Sequence, residues 1–143
     1  MQELISLVVT EPPNDGEETN RFKYSNIACE LLTSNVACIN DTLASNESLL
    51  NQLYSFLETD KQLNPLLASF FSKIMSLLLS KISEKLIEFL KTKEQFVPCL
   101  IKHFHISAIM DFTLKLVVSI ENTELRHSVF TVSHSCLLSA NYT

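Results

Sequence analysis

In 143 residues there is one glycine, Gly16, and no tryptophan. Phosphate-cradling loops and dinucleotide-binding turns need several glycines at fixed spacing, so nucleotide enzymes built on them are excluded. Cysteine is sparse too: Cys29, Cys38, Cys99 and Cys136, none in a C-x-x-C pair. The first residues lack the basic-then-apolar pattern of a secretory signal. The thiols therefore read as reduced and mostly buried as small hydrophobes, in a protein of the cytoplasm and also the nucleus. Asn40, Asn46 and Asn141 open glycosylation triplets. Without export these carry no meaning, and the first two read as helix or turn residues. No hydrophobic run is long enough to cross a bilayer, because Leu66–Leu79 is short and interrupted by Ser and Lys. Charged residues make up only 19% and the net charge is −5. That balance leaves no cationic footprint for nucleic acid or an anionic membrane.

What is present is apolar. Hydrophobic residues are 46% of the chain and the mean hydropathy is +0.17, which argues against disorder and for one domain with a sizeable core. The organising stretch is LNPLLASFFSKIMSLLLSK, from Leu63 to Lys81. Asn64 is an N-cap and Pro65 suits the first helical position. Nine large apolar residues then cover most of the circumference. Ser69, Ser72, Lys73, Ser76 and Ser80 form one narrow polar stripe. Such a helix has to be surrounded by others.

Around it the periodicity predicts further helices. Gln2–Val9 reads as closing turns of a helix, and residues 11–20, with two prolines and the glycine, as an exposed acidic loop. A helix from about Arg21 to Leu32 should turn Tyr24, Ile27, Ala28, Leu31 and Leu32 inward. A shorter one follows from about Val36 to Leu43. Asn46 caps another with an inward stripe of Leu49, Leu50, Leu53, Tyr54 and Leu57. Ser83 is placed to cap a segment carrying Leu86, Ile87, Phe89 and Leu90. Thr92 and Gln95 have capping-box spacing, with Phe96, Val97, Leu100, Ile101 and Phe104 on one face beyond them. Pro98 should bend that axis. Ser107–Ile120 is apolar on most sides, and Asn122 or Thr123 caps a last piece around Leu125, Val129 and Phe130. Seven to eight helices of this kind suggest an all-α solenoid fragment; a compact orthogonal bundle would read the same way locally.

No residue set carries catalysis. His103, His105, Asp111, His127 and His134 lack paired metal-ligand spacing, and helix-end histidines are the plainer reading. Cys99 and His103 stand four apart, but apolar neighbours would bury Cys99 and leave it inert. Glu84, Glu88 and Glu94 alternate with Lys81, Lys85, Lys91 and Lys93 as a solvated face. No cofactor is expected. Lys73, Lys81 and Lys102 are candidate rim charges around apolar grooves where a partner could dock, although plain solvation would also account for them.

The run LNPLLASFFSKIM resembles the SAPS-domain family, the regulatory subunits of protein phosphatase 6. EPP at Glu11–Pro13, RFKYSNIACELLTS at Arg21–Ser34, INDTL at Ile39–Leu43 and ESLLNQLYSFL at Glu47–Leu57 match it in order. FLKTKEQFV at Phe89–Val97, IKH at Ile101–His103 and SAIMDFTLKLV at Ser107–Val117 follow. The resemblance covers roughly Leu4 to Phe130. It implies a HEAT- or armadillo-like stack that binds the phosphatase 6 catalytic subunit, directs it to substrates and meets a further ankyrin-type subunit. It also implies a partial SAPS domain over residues 1–130, with helical sequence on both sides in the family, and a divergent tail over residues 131–143. Phe104-His105-Ile106 stands where the family usually has an Ile-Gly-Thr turn. Two alternatives remain open: an inert or competing truncated product, and an unrelated helical enzyme or lipid carrier.

Overall fold

The computed structural model describes residues 1–13, 18–59, 61–93 and 95–119. Among them the regular structure is all helical: α1 (Gln2–Val9), α2 (Glu18–Arg21), α3 (Lys23–Leu32), α4 (Ala37–Ser45), α5 (Glu47–Tyr54), α6 (Pro65–Lys81), α7 (Ser83–Lys91), α8 (Phe96–Lys102) and α9 (Ser107–Ser119). The expected piece around Leu125, the tail from residue 131 and much of the acidic loop lie outside the described residues.

The central helix forms for the reasons its sequence offers. The Asn64 side chain accepts from the amides of Leu66 and Leu67, and Pro65 occupies the first turn. Leu67, Ala68, Phe70, Phe71, Ile74, Met75, Leu78 and Leu79 are buried. α6 packs most extensively on α9, and also on α1, α3 and α7. Phe71 meets Phe112 of α9 edge-on at 6.1 Å. The polar stripe is not wholly outward: Ser72 is buried, and a residue this small lets a neighbouring backbone come close. Asn46 caps α5 by accepting from Ser48, and the predicted stripe from Leu49 to Leu57 is buried throughout. Between α3 and α4 the chain turns through Asn35, which among the described residues is the non-glycine residue with positive φ, 60°. In a chain with one glycine, asparagine takes the left-handed corner because its side chain tolerates that region best.

Several local expectations give way. Ser83 does not cap α7; Ile82 precedes the helix without a side-chain cap. Thr92 closes α7 instead of opening α8, donating its hydroxyl to the Phe89 carbonyl at 2.6 Å. A threonine hydroxyl at a helix end reaches the carbonyl three residues back as easily as an amide ahead. Pro98 falls in the first turn of α8, where its missing N–H has no intrahelical partner to lose, so no bend is required. Of the three described cysteines only Cys29 is buried, while Cys38 is exposed and Cys99 half-buried. α9 is not enclosed: Ile109, Phe112 and Leu116 face inward, and Met110, Leu114 and Val118 are exposed. The arrangement is all-α and compatible with a solenoid-like stack in which α6 is the shared wall.

Candidate protein-interaction surface

The largest correction concerns α3. Its buried residues are Ser25, Ala28, Cys29 and Leu32, whereas Tyr24 is 68%, Ile27 41% and Leu31 47% exposed. Small residues face inward because α1 and α6 both lie against this helix, and the Cys29 sulfur reaches the Phe70 carbonyl at 4.0 Å. Larger side chains would not fit that spacing. Their spacing, i, i+3 and i+7, makes Tyr24, Ile27 and Leu31 a continuous apolar stripe on the outer side. A second stripe runs along α9, where Met110, Leu114 and Val118 are spaced by four, with Asp111 and Lys115 exposed beside it. Two exposed apolar rows, one carrying a tyrosine, are the kind of surface that docks protein.

The three candidate lysines do not form one cluster. Lys73 and Lys81 are exposed on α6, separated by about 12 Å along the axis at ~1.5 Å per residue. Lys102 ends α8 and donates from Nζ to the Thr59 carbonyl at 3.4 Å.

Titratable groups in the interior are structural. His103 is 2% exposed, with Nε2 at 3.3 Å from the Leu57 carbonyl. Burial lowers its pKa, helped by Lys102 and His105, against the raising effect of the Leu57 and Thr59 carbonyls. It therefore does not behave as a charged helix-end histidine, because burial is the largest influence on its ring. Burial also raises the Cys29 thiol. Tyr54 is pushed up to about 12, chiefly by burial, then by the Cys99 thiol against its hydroxyl and by Glu58. The Tyr54 ring meets Phe89 edge-on at 6.3 Å. Lys93 lies 5.5 Å from the Tyr54 ring and 5.2 Å from Phe89, and donates to Asn51 Oδ1 at 2.6 Å. Thus α5, α7 and α8 are joined by an aromatic cluster with one cation on its edge. Among the described residues no group of three His, Cys, Asp or Glu could hold a metal. No single described helix is long and apolar enough to cross a membrane.

On the N-terminal side, Arg21 fastens the loop that follows α1. Its guanidinium donates to the Pro12 carbonyl at 3.0 and 3.2 Å and pairs with Glu11 at 3.3 Å. The same Glu11 oxygen accepts from Asn64 at 3.4 Å. One carboxylate thus links α1, α2 and the start of α6. Asn40, in the first glycosylation triplet, is only 6% exposed.

Fold and surface together define a helical module whose outward chemistry is apolar stripes with sparse charge. Comparison with known proteins gives the family. The family described as SIT4 phosphatase-associated protein, SAPS, matches residues 75–141. The chain is 49% identical to mouse serine/threonine-protein phosphatase 6 regulatory subunit 1, across 91% of this chain and 15% of that protein. It is 52% identical to chicken serine/threonine-protein phosphatase 6 regulatory subunit 3, across 90% and 15%. It is 38% identical to fission-yeast extragenic suppressor of kinetochore protein 1, across 74% and 13%. The chain belongs to the SAPS family, and spans about 15% of the length of the phosphatase-subunit relatives it matches. No solved structure matches it.

Proposed function

We propose that this chain is part of a non-catalytic regulatory scaffold that binds the catalytic subunit of protein phosphatase 6 and directs it to substrates. The observation that carries this reading is the half-identity, over nine-tenths of the chain, to proteins named as phosphatase 6 regulatory subunits. The mechanism is positional. A helical wall built on α6 holds two apolar rows at fixed spacing, Tyr24–Ile27–Leu31 and Met110–Leu114–Val118, and a partner covers one or both. A few buried anchors supply most of the affinity in such contacts, while charged rims set register and on-rate. Lys73, Lys81 and Lys102 are the rim charges of this proposal. An ankyrin-type subunit is the second partner, and cytoplasm and nucleus are where the complex would be found.

The test is co-purification of the tagged chain with the phosphatase 6 catalytic subunit, with the ankyrin-type subunit added in a parallel arm. The unaltered chain is expected to retain the catalytic subunit. Tyr24→Asp with Leu114→Asp is expected to weaken capture at least about tenfold, the equivalent of ~1.4 kcal/mol, with helical circular dichroism unchanged. Absence of capture by the unaltered chain overturns the proposal. Capture untouched by both substitutions removes the stripes from it.

A further inference from the structure

The outer face of α9 is apolar along one line and balanced in charge beside it. Met110, Leu114 and Val118 are 43%, 59% and 76% exposed, and the row they form is about 12 Å long at ~1.5 Å per residue. The opposite face is fixed, with Ile109, Phe112 and Leu116 buried and α9 packed extensively on α6. The row is therefore held on a firm support. Thr113, at its side, turns its hydroxyl back to the Ile109 carbonyl at 2.8 Å, so it brings the row no free donor. Asp111 and Lys115 are exposed, and neither makes an ion pair among the described residues. Each follows a row member by one position, so both stand on the same flank of the row. The lysines of the helices packed against α9 are engaged or lie elsewhere. Lys73 of α6 acts on Cys29 of α3, and Lys102 of α8 donates to the Thr59 carbonyl at 3.4 Å. Lys81 ends α6, roughly 15 Å along the axis from Phe71, the residue that meets Phe112 in the middle of α9. The whole chain has a net charge of −5, yet this face carries one charge of each sign. Two copies of an acidic chain meet no net repulsion there.

We propose that α9 is a self-association surface, on which a second copy of this chain lays the same helix antiparallel across a two-fold axis at Leu114. In that arrangement Leu114 meets its own counterpart, and Met110 packs against Val118 of the second copy at both ends. The charges choose the direction. With the helices antiparallel, Asp111 comes alongside Lys115 of the second copy, offset by two residues or about 3 Å along the axis, and symmetry makes the pair twice. With the helices parallel and in register, Asp111 would face Asp111 and Lys115 would face Lys115, which is repulsive at both positions. Antiparallel packing also sets opposite ends of the two helix dipoles side by side. The row is short, so the pairing is reversible, with a Kd on the order of 0.1–1 mM. The row on α3 takes no part in it, and the proposal does not depend on the phosphatase reading.

The experiment uses the full chain without phosphatase. In an equal mixture of carbon-13-labelled and unlabelled protein near millimolar concentration, isotope-filtered spectra report contacts between copies. Expected are contacts from the Met110 methyl to the Val118 methyls and from Leu114 to Leu114. Contacts from Met110 to Met110, which a parallel pair gives, would overturn the proposal. Sedimentation equilibrium tests the charges. Asp111→Lys and Lys115→Asp should each weaken self-association about threefold or more, because like charges then stand across the axis. Mixing these two variants one to one should restore it, since each supplies the sign that the other lacks. Both positions are exposed, and the amide spectrum of each variant checks its fold directly. No association at millimolar chain, variants that associate as well as the unaltered chain, or no gain on mixing would also overturn the proposal.

Discussion

At the end of α8, His103 meets two demands that pull its proton in opposite directions. Burial, the largest influence, disfavours the charged ring together with Lys102 and His105, while the Leu57 and Thr59 carbonyls favour it. The folded-state pKa lies below the ordinary histidine value, so under mildly acidic conditions the unfolded chain binds more protons than the folded one. The stabilisation by neutral His103 is therefore complete above about pH 6.5 and is lost as pH falls through the lowered folded-state value. Urea unfolding between about pH 7 and pH 5 should show the unaltered chain losing stability more steeply than His103→Asn. Parallel slopes would mean that the ring plays no such part. That His103 stands at a helix end was legible from the spacing of the apolar residues before it. Its burial was not, because it depends on a loop 46 residues earlier that no local pattern connects to it.

On the scale of single helices, the clearest lesson is α3. The expected inner face held Tyr24, Ile27, Ala28, Leu31 and Leu32; Ala28 and Leu32 do enter the core, with Cys29, whereas Tyr24, Ile27 and Leu31 lie outside it. A face squeezed between two neighbours selects for small volume, and a hydrophobicity pattern does not register volume. Ala28→Leu should therefore cost about 1–3 kcal/mol through overpacking, whereas Ile27→Ser should stay within about 0.5 kcal/mol. Thermal or urea unfolding of the two variants checks this, and the reverse order would restore the pattern-based face. The caps divide in the same way. Asn64 and Asn46 were readable because an asparagine before an apolar run has one favourable use. Thr92 was ambiguous because its hydroxyl serves either side of a helix boundary, and it closes α7.

For the molecule taken whole, the all-helical class and the central place of α6 were legible from length, periodicity and the near-continuous apolar run. The enclosure expected for α9 was not realised, and the outer rows on α3 and α9 leave apolar area in water. Such rows drive association. The unaltered chain should sediment faster as its concentration rises. Tyr24→Lys with Leu114→Lys should suppress that trend while leaving the unfolding midpoint nearly unchanged, since both side chains are already exposed. A chain that stays monomeric at every concentration would show that these rows do not pair by themselves.

The shared wall has a consequence for birth on the ribosome. The inner faces of α1 and α3 rest on a rod that is translated after them, and that rod in turn leans on α9. Synthesis of the 49 residues between Leu32 and Lys81 takes roughly 2–10 s at ~5–20 residues per second. Through that interval α1 and α3 have only each other and α5 to settle against, and the faces that α6 later covers stay in water, where chaperones can hold them.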